Sequence, residues 1–239
     1  MAYNARKITK HWLRSAITGS MYGRPLCPFA RKYLDEGRIR VKAISEKDWE
    51  GVVDRARDEI DLLLRQDQDV APPETTLIVL TGPLRKAPYW DFVRTSWKIM
   101  DAIDNNDGWR EKVQVVNFHP EGKHSLYAEE TRVSFENGEG EDWNCLKRKG
   151  VNLCVTSTTH KNVIHTTLSP KHAKPSDFTI RSPLPTYHLL KEDTIMAELT
   201  GGYVKSPETI PDRNARMLDR LGLKGCEKKF LEMSPGKVI

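Results

Sequence analysis

The chain has 239 residues, of which 38% are hydrophobic and 30% are charged. This length and composition exclude a disordered chain and predict a globular protein of one large domain or two small ones. The net charge of +5 permits an anionic ligand or a nucleic-acid partner without requiring either.

The four cysteines are widely and unevenly spaced, and no two of them form a Cys-x-x-Cys pair. In a chain of this size, that spacing indicates free thiols in a reducing compartment instead of a disulfide framework. No apolar run approaches the length that spans a bilayer, and no secretory signal is visible. We therefore expect a soluble protein in the cytoplasm or an organelle matrix (mitochondrion or plastid), and not a secreted one. The cysteines are Cys27, Cys145, Cys154 and Cys226.

Helical and extended patterns alternate through the first half of the chain. Apolar residues recur at helical spacing in three segments, and β-branched or alternating residues mark three strands. This alternation predicts an α/β fold, with a sheet of about four to six strands and helices packed on it. The predicted helices are 6–17, 49–64 and 88–104, and the predicted strands are 39–44, 75–80 (central in the sheet) and 112–118.

The second half is less regular. Its first part, about 121–176, has the character of an insertion with a β-hairpin formed by 151–158 and 162–168. Residues 187–190 follow two prolines and predict an edge strand, where proline is tolerated. A last helix from 211 is expected to stop at Gly222 and leave a basic tail. The predicted organisation is one α/β domain, 1–222, with a tail at 223–239.

Cys27 is the first candidate for chemistry. Pro28 suits the first position of a helix, which would make Cys27 the residue that caps its amino end. Free backbone N–H groups and the helix dipole would then lower the pKa of the thiol and favour the reactive thiolate. The alternative is a buried structural cysteine, since free cysteine is among the most buried residue types.

Five short motifs occur in a characteristic order. Together they resemble the mostly bacterial family called domain of unknown function fourteen-fifteen, which has no assigned reaction. The chain differs from the family pattern by Ile180 in place of an asparagine, by Lys191 in place of an arginine, and by a longer link before Arg181. The motifs are Leu26-Cys27-Pro28-Phe29-Ala30, Phe118-His119-Pro120, Arg181-Ser182-Pro183-x-Pro185, His188-Leu189-Leu190-Lys191-Glu192 and Arg213-Asn214.

These motifs suggest a pocket for a small carboxylate or phosphate. Cys27 would be the nucleophile, and His119 and His188 would be catalytic as base and acid, as in a thiol-dependent hydrolase or transferase. Arg181 and Ser182 would bind the substrate, because a guanidinium fork matches both kinds of anion. The alternative is that the histidines are satisfied polar groups at strand ends and that the arginine pins a turn.

Two metal sites are also conceivable, although the sequence names no cofactor. Cys27, His119 and His188 could form an open three-ligand site of the kind that activates water. A structural zinc site would use Cys145, Cys154, His160 and His165, but its Cys-x8-Cys spacing is long for a zinc knuckle.

A different functional class is a non-catalytic subunit or assembly factor of a larger complex. The mildly basic charge, the basic tail and the insertion suggest such a protein partner, in an organellar and RNA-containing assembly. Against RNA binding, the basic residues are scattered and do not alternate with aromatic residues as they do on a stacking platform.

Overall fold

The structure is a computed structural model that describes residues 2–65, 73–123, 132–134, 143–148, 151–156, 173–200 and 209–233. The chain divides into two compact units. The first unit contains residues 1–123 and 174–239, and the second contains residues 124–173. Within the described part of the chain, no helix has both the length and the apolar character that a membrane crossing requires.

The first unit is built on a mixed four-stranded sheet in the order β1-β2-β7-β3. β1 is parallel to β2, whereas β7 is antiparallel to both of its neighbours, β2 and β3. The carboxyl ends of β1, β2 and β3 therefore lie at the same edge as the amino end of β7. The strands are β1 (Ile39–Ile44), β2 (Thr75–Leu80), β3 (Val113–Phe118), β4 (Arg132–Ser134), β5 (Trp143–Arg148), β6 (Val151–Thr156) and β7 (Thr186–Lys191).

Helices pack against this sheet, so the predicted α/β class is confirmed. Three shorter helical segments of the described residues supplement them: a π-helical segment at Leu13–Ile17 and 3-10 segments at Gly82–Lys86 and Pro175–Ile180. The helices are α1 (Ala2–Trp12), α2 (Ala30–Asp35), α3 (Trp49–Leu64), α4 (Tyr89–Asp104), α5 (Glu192–Thr200) and α6 (Ile210–Met233).

β2 is covered on both faces, as its continuous apolar run predicts. All six of its residues are buried. Leu77 and Val79 belong to a core that also contains Trp12 of α1 and Leu218 of α6. α3 contacts β2 as well, and α4 contacts β3, which gives the sheet its second covering layer.

The prediction of an edge strand at 187–190 is wrong, because β7 lies between β2 and β3. The two prolines, Pro183 and Pro185, precede the strand and therefore remove no ladder hydrogen bond from it. Tyr187 anchors the strand to α4. Its ring stacks on Phe92 at a centroid distance of 4.3 Å, and its hydroxyl donates to the Phe92 carbonyl at 2.7 Å.

The helical stretch that begins at Ile210 is interrupted at Gly222, where the sequence predicted that it stops. Gly222 has a φ of 70° and a ψ of 163°, a non-helical conformation that glycine adopts at little cost, so α6 consists of two helical stretches joined at a kink. The helix then continues to Met233, so residues 223–233 of the predicted tail are helical. Cys226 and Met233 are buried in this second half, which attaches it to the core.

In the second unit, β5 pairs with both β4 and β6 in an antiparallel sheet. The described partner of β6 is therefore the strand before it, and the predicted second hairpin strand, 162–168, lies outside the described residues. Cys145 and Cys154 are register partners in β5 and β6. His160 and His165 lie outside the described residues, so the zinc site that uses them stays a prediction.

Candidate functional site

Cys27 lies two residues before the helix-capping position, because α2 begins at Ala30 with Phe29 as its N-cap. Its sulfur still receives the backbone N–H groups of Phe29 and Ala30, as the proline-led turn predicted. Burial nevertheless raises the pKa of the Cys27 thiol, and these N–H groups and the Arg213 charge offset only part of that effect. The prediction of a lowered thiol pKa is therefore wrong.

His119 and Arg181 lie in neighbouring segments at the carboxyl edge of the sheet. The backbone N–H of His119 donates to the Ile180 carbonyl at 3.1 Å, and Arg181 Nε donates to the Gly122 carbonyl at 3.2 Å. The Arg181 guanidinium lies 4.3 Å from the centroid of the Phe178 ring. The guanidinium thus has a backbone partner and an aromatic partner, which is the structural role considered for it above.

The imidazole of His119 is buried against α4, with ring centroids of Tyr89 and Phe92 each 5.1 Å away. Its Nδ1 accepts the Glu121 backbone N–H at 3.1 Å, while its Nε2 has no hydrogen-bond partner among the described residues. Burial lowers the pKa of His119, and the Ala87 backbone raises it by a smaller amount, so the resulting pKa is about 4. The ring is therefore neutral near pH 7.

His188 lies inside β7, opposite Leu77 of β2. Its Nε2 is hydrogen-bonded to Thr75 Oγ1, and its ring centroid is 5.9 Å from that of Phe118. Burial lowers the pKa of His188 to about 4 as well. Ser182 is also buried, and its hydroxyl donates to the Leu184 carbonyl.

The structure does not join these predicted residues into one site. Within the described ranges, no hydrogen bond, ion pair or ring contact links Cys27 to His119, His188 or Arg181. No three potential metal-ligating side chains of the described residues form a group that could hold a metal ion. The prediction of a three-ligand site from Cys27, His119 and His188 is therefore wrong.

The Cys27 loop instead meets the start of α6. Arg213 donates through Nη2 to the Pro25 carbonyl at 2.7 Å, and Asn214 Nδ2 donates to the Leu26 carbonyl at 2.7 Å. Arg213 also donates to Asn214 Oδ1 from Nε at 3.3 Å and from Nη2 at 2.9 Å. These bonds hold the Arg213 guanidinium beside the loop that carries Cys27.

Next to this junction lies a groove of about 430 Å³, which we call the arginine groove. Sequence reasoning missed it, although Arg213, Arg216 and Arg220 have the i, i+3, i+7 spacing that places three side chains on one helix face. Among the described residues, the lining of the groove contains four arginines and no acidic residue. Its lining is Tyr22, Gly23, Arg24, Arg213, Arg216, Met217, Arg220 and Leu221.

Comparison with known proteins confirms the family resemblance that the motifs suggested. The model of a protein family described as "protein of unknown function (DUF1415)" matches residues 4–137 and 155–228, which is most of the chain. The chain belongs to this family. Within this DUF1415 protein, the unmatched internal segment is 138–154, which is shorter than the insertion predicted from the motifs. No match to a curated protein or to a solved structure was found.

Proposed function

We propose that the protein binds a small carboxylate or phosphate in the arginine groove. The observation that carries this proposal is that four arginines line one concavity and that no carboxylate belongs to its lining among the described residues. Guanidinium groups bind both kinds of anion through paired N–H donors. The volume of the groove, about 430 Å³, lies within the range that small-ligand sites occupy.

Several arginines outside the groove differ from those within it, because they are paired with carboxylates. Arg31, Arg55 and Arg57, for example, form ion pairs with nearby carboxylates on the helices. Arg24 and Arg220 are exposed and have no ion-pair partner among the described residues. An incoming anion would therefore meet two guanidinium groups, those of Arg24 and Arg220, that no carboxylate of the described residues neutralises.

The residues of this groove support the binding of an anion and do not by themselves support thiol-dependent catalysis. A thiol-dependent hydrolase or transferase needs a thiolate and a nearby base. Cys27 has a raised pKa, and neither His119 nor His188 contacts it in the described structure. The predicted catalytic roles of these three residues, and the predicted substrate-binding roles of Arg181 and Ser182, stay predictions.

Isothermal titration with inorganic phosphate at fixed ionic strength tests the proposal. R24Q and R220Q should each weaken phosphate binding about five-fold, as expected for one charge-assisted contact near solvent. R6Q is the matched control, because Arg6 is exposed on α1, lies outside the groove and carries the same charge. Equal phosphate affinity in R220Q and R6Q would show that the groove is not the anion site.

The alternative function is that of a non-catalytic subunit or assembly factor of an organellar, RNA-containing complex. Two basic residues near the end of α6, Lys224 and Lys228, are exposed, which leaves that part of the helix accessible to an anionic partner. RNA affinity that falls steeply with salt concentration would favour this alternative.

A further inference from the structure

We propose that the outward side of α1 binds a single-stranded polynucleotide. This inference concerns a second surface, outside the lining of the arginine groove, and does not rest on the proposed function. The surface, which we call the α1 face, carries five basic side chains and one aromatic ring, all of them exposed. These residues are Tyr3, Arg6, Lys7, Lys10, His11 and Arg14.

The spacing along the helix places the aromatic ring and three of the cations in one row. Residues at intervals of three and four positions lie on the same side of a helix. The ends of the part within α1, Tyr3 and Lys10, are about 10 Å apart along the axis. Arg14 continues the row in the π-helical segment that follows α1. The row, at intervals of four, three and four residues, is Tyr3, Lys7, Lys10 and Arg14.

The opposite side of α1 is fixed in the core. Ala5, Thr9 and Trp12 are all buried. The Trp12 ring packs edge-on against Phe118 of β3, with a centroid distance of 5.1 Å. Because these contacts hold α1 against the sheet, the row faces solvent on a backbone that needs no ordering when a partner binds.

The cations of the α1 face have no carboxylate partner among the described residues. The sequence contains no acidic residue before Asp35, and that carboxylate pairs with Arg31 of α2. Within α1 and the segment after it, like charges such as Lys10 and Arg14 are four residues apart, which destabilises an isolated helix. A polyanion lying along the row would reduce this repulsion.

The composition of the α1 face favours a polynucleotide over other anionic partners. An amphipathic helix on a membrane inserts its apolar side among the lipids, but the apolar side of α1 is buried in the core. A stable protein interface buries about 800 Å² on each partner around a centre that is depleted of charged residues. The single, highly charged face of α1 does not fit that description. A phosphodiester backbone, in contrast, is bound mainly through a path of cations.

Tyr3 favours a single strand over a duplex. Its side chain is 83% exposed and lies at one end of the row of cations. Single-strand-binding proteins combine a cationic path for the backbone with aromatic rings on which bases stack. Bases inside a duplex are already stacked on their neighbours, so they cannot use an exposed ring in this way.

Fluorescence anisotropy with the full chain and a labelled oligoadenylate RNA of about twelve nucleotides tests the proposal. Each phosphate contact of a single strand contributes about 0.7 to the slope of log affinity against log salt concentration. In K7Q/K10Q we therefore expect the slope to decrease in magnitude by about 1.4 and the affinity at about 0.1 M salt to fall about 25-fold. K47Q/K86Q is the matched control, because Lys47 and Lys86 are exposed, carry the same charge and lie outside both α1 and the groove.

Variants of Tyr3 test the stacking contact. Y3A should weaken binding of the RNA at least about five-fold, whereas Y3F should stay within about two-fold of the wild type, because a ring without its hydroxyl still stacks. Y3A should not change the affinity for an RNA duplex of the same length. All substituted side chains are exposed, so the urea midpoint of each variant should equal that of the wild type and show that the fold is intact.

Several results would overturn the proposal. Equal RNA affinity in K7Q/K10Q and K47Q/K86Q would show that the α1 face is not the binding surface. RNA binding that is lost in R24Q and R220Q but retained in K7Q/K10Q would place the polynucleotide in the arginine groove. RNA affinity that is unchanged in Y3A would rule out the stacked single strand. Binding to vesicles of phosphatidylcholine and phosphatidylserine that K7Q/K10Q abolishes, with no affinity for the RNA, would identify a membrane as the partner instead.

Discussion

Replacing the buried imidazole of His119 should change how stability depends on pH. His119 is 4% exposed, and its folded-state pKa is about 4, compared with an ordinary value of 6.5. Below pH 6.5 the unfolded chain takes up a proton that the folded chain does not accept until about pH 4. The contribution of His119 to stability is therefore complete above pH 6.5 and is lost as the pH falls towards 4.

The two pKa values set the size of this effect. For one histidine with this shift, the free energy of unfolding decreases by about 2 kcal/mol between pH 7 and pH 5, and by about 3 kcal/mol at pH 4. His188 has the same lowered pKa and should contribute a separate decrease over the same range. Carboxylates add a background that is common to the wild type and the variants.

Urea denaturation at about pH 7, 6 and 5, followed by tryptophan fluorescence, measures the effect. H119F should lose stability at pH 7, because the Glu121 N–H loses its acceptor, but its stability should fall less on acidification. The difference between the two proteins should therefore shrink by about 2 kcal/mol at pH 5. H11Q is the control, since His11 is exposed on α1. Parallel curves for the wild type and H119F would refute the argument.

Three further predictions concern other sites. Near pH 7, iodoacetamide should alkylate Cys27 more slowly than a cysteine in an unstructured peptide, because burial raises the pKa of the Cys27 thiol. A mass-spectrometric peptide map measures the rate, and faster alkylation of Cys27 would contradict the prediction. Y187F should lower the free energy of unfolding by about 1–2 kcal/mol, because the Phe92 carbonyl loses its buried partner, whereas Y3F at an exposed position should have little effect in the same urea assay. G222A should lower the free energy of unfolding by about 1 kcal/mol in that assay. No atom lies within 4 Å of the added Cβ, so only the positive φ of the backbone opposes alanine. An unchanged urea midpoint would show that α6 straightens instead.

The strands and helices of the first unit could be predicted because each carries a clear local pattern. The apolar run of β2 and the amphipathic stripe of α3 are examples. The position of β7 within the sheet could not be predicted. Pro183 and Pro185 indicate where the strand begins, but they do not indicate which strands lie on either side of it. The helical stretch after Gly222 was likewise not predicted, because a glycine indicates where one helix ends and not whether another follows it.

The candidate site shows the same limit at the level of side chains. Sequence order suggested that Cys27, His119 and Arg181 share a pocket. In the structure, hydrogen bonds join the segment of His119 to that of Arg181, whereas Cys27 has no such link to either residue. The pKa of Cys27 depends on the balance between burial and local N–H groups, and burial is a property of the whole fold. The arginine spacing on α6 was visible in the sequence, but its opposite wall, the loop at Arg24, was not.

The place of β7 has a consequence for how this protein is made. Its neighbours β2 and β3 are translated well before it, and their ladders with β7 cannot form until residues 186–191 have left the ribosome. During that interval both strands present unpaired backbone groups, which are a hazard for association between nascent chains. A chain interrupted before residue 186 would therefore lack the middle of its sheet, and the two halves of that sheet would have no ladder between them.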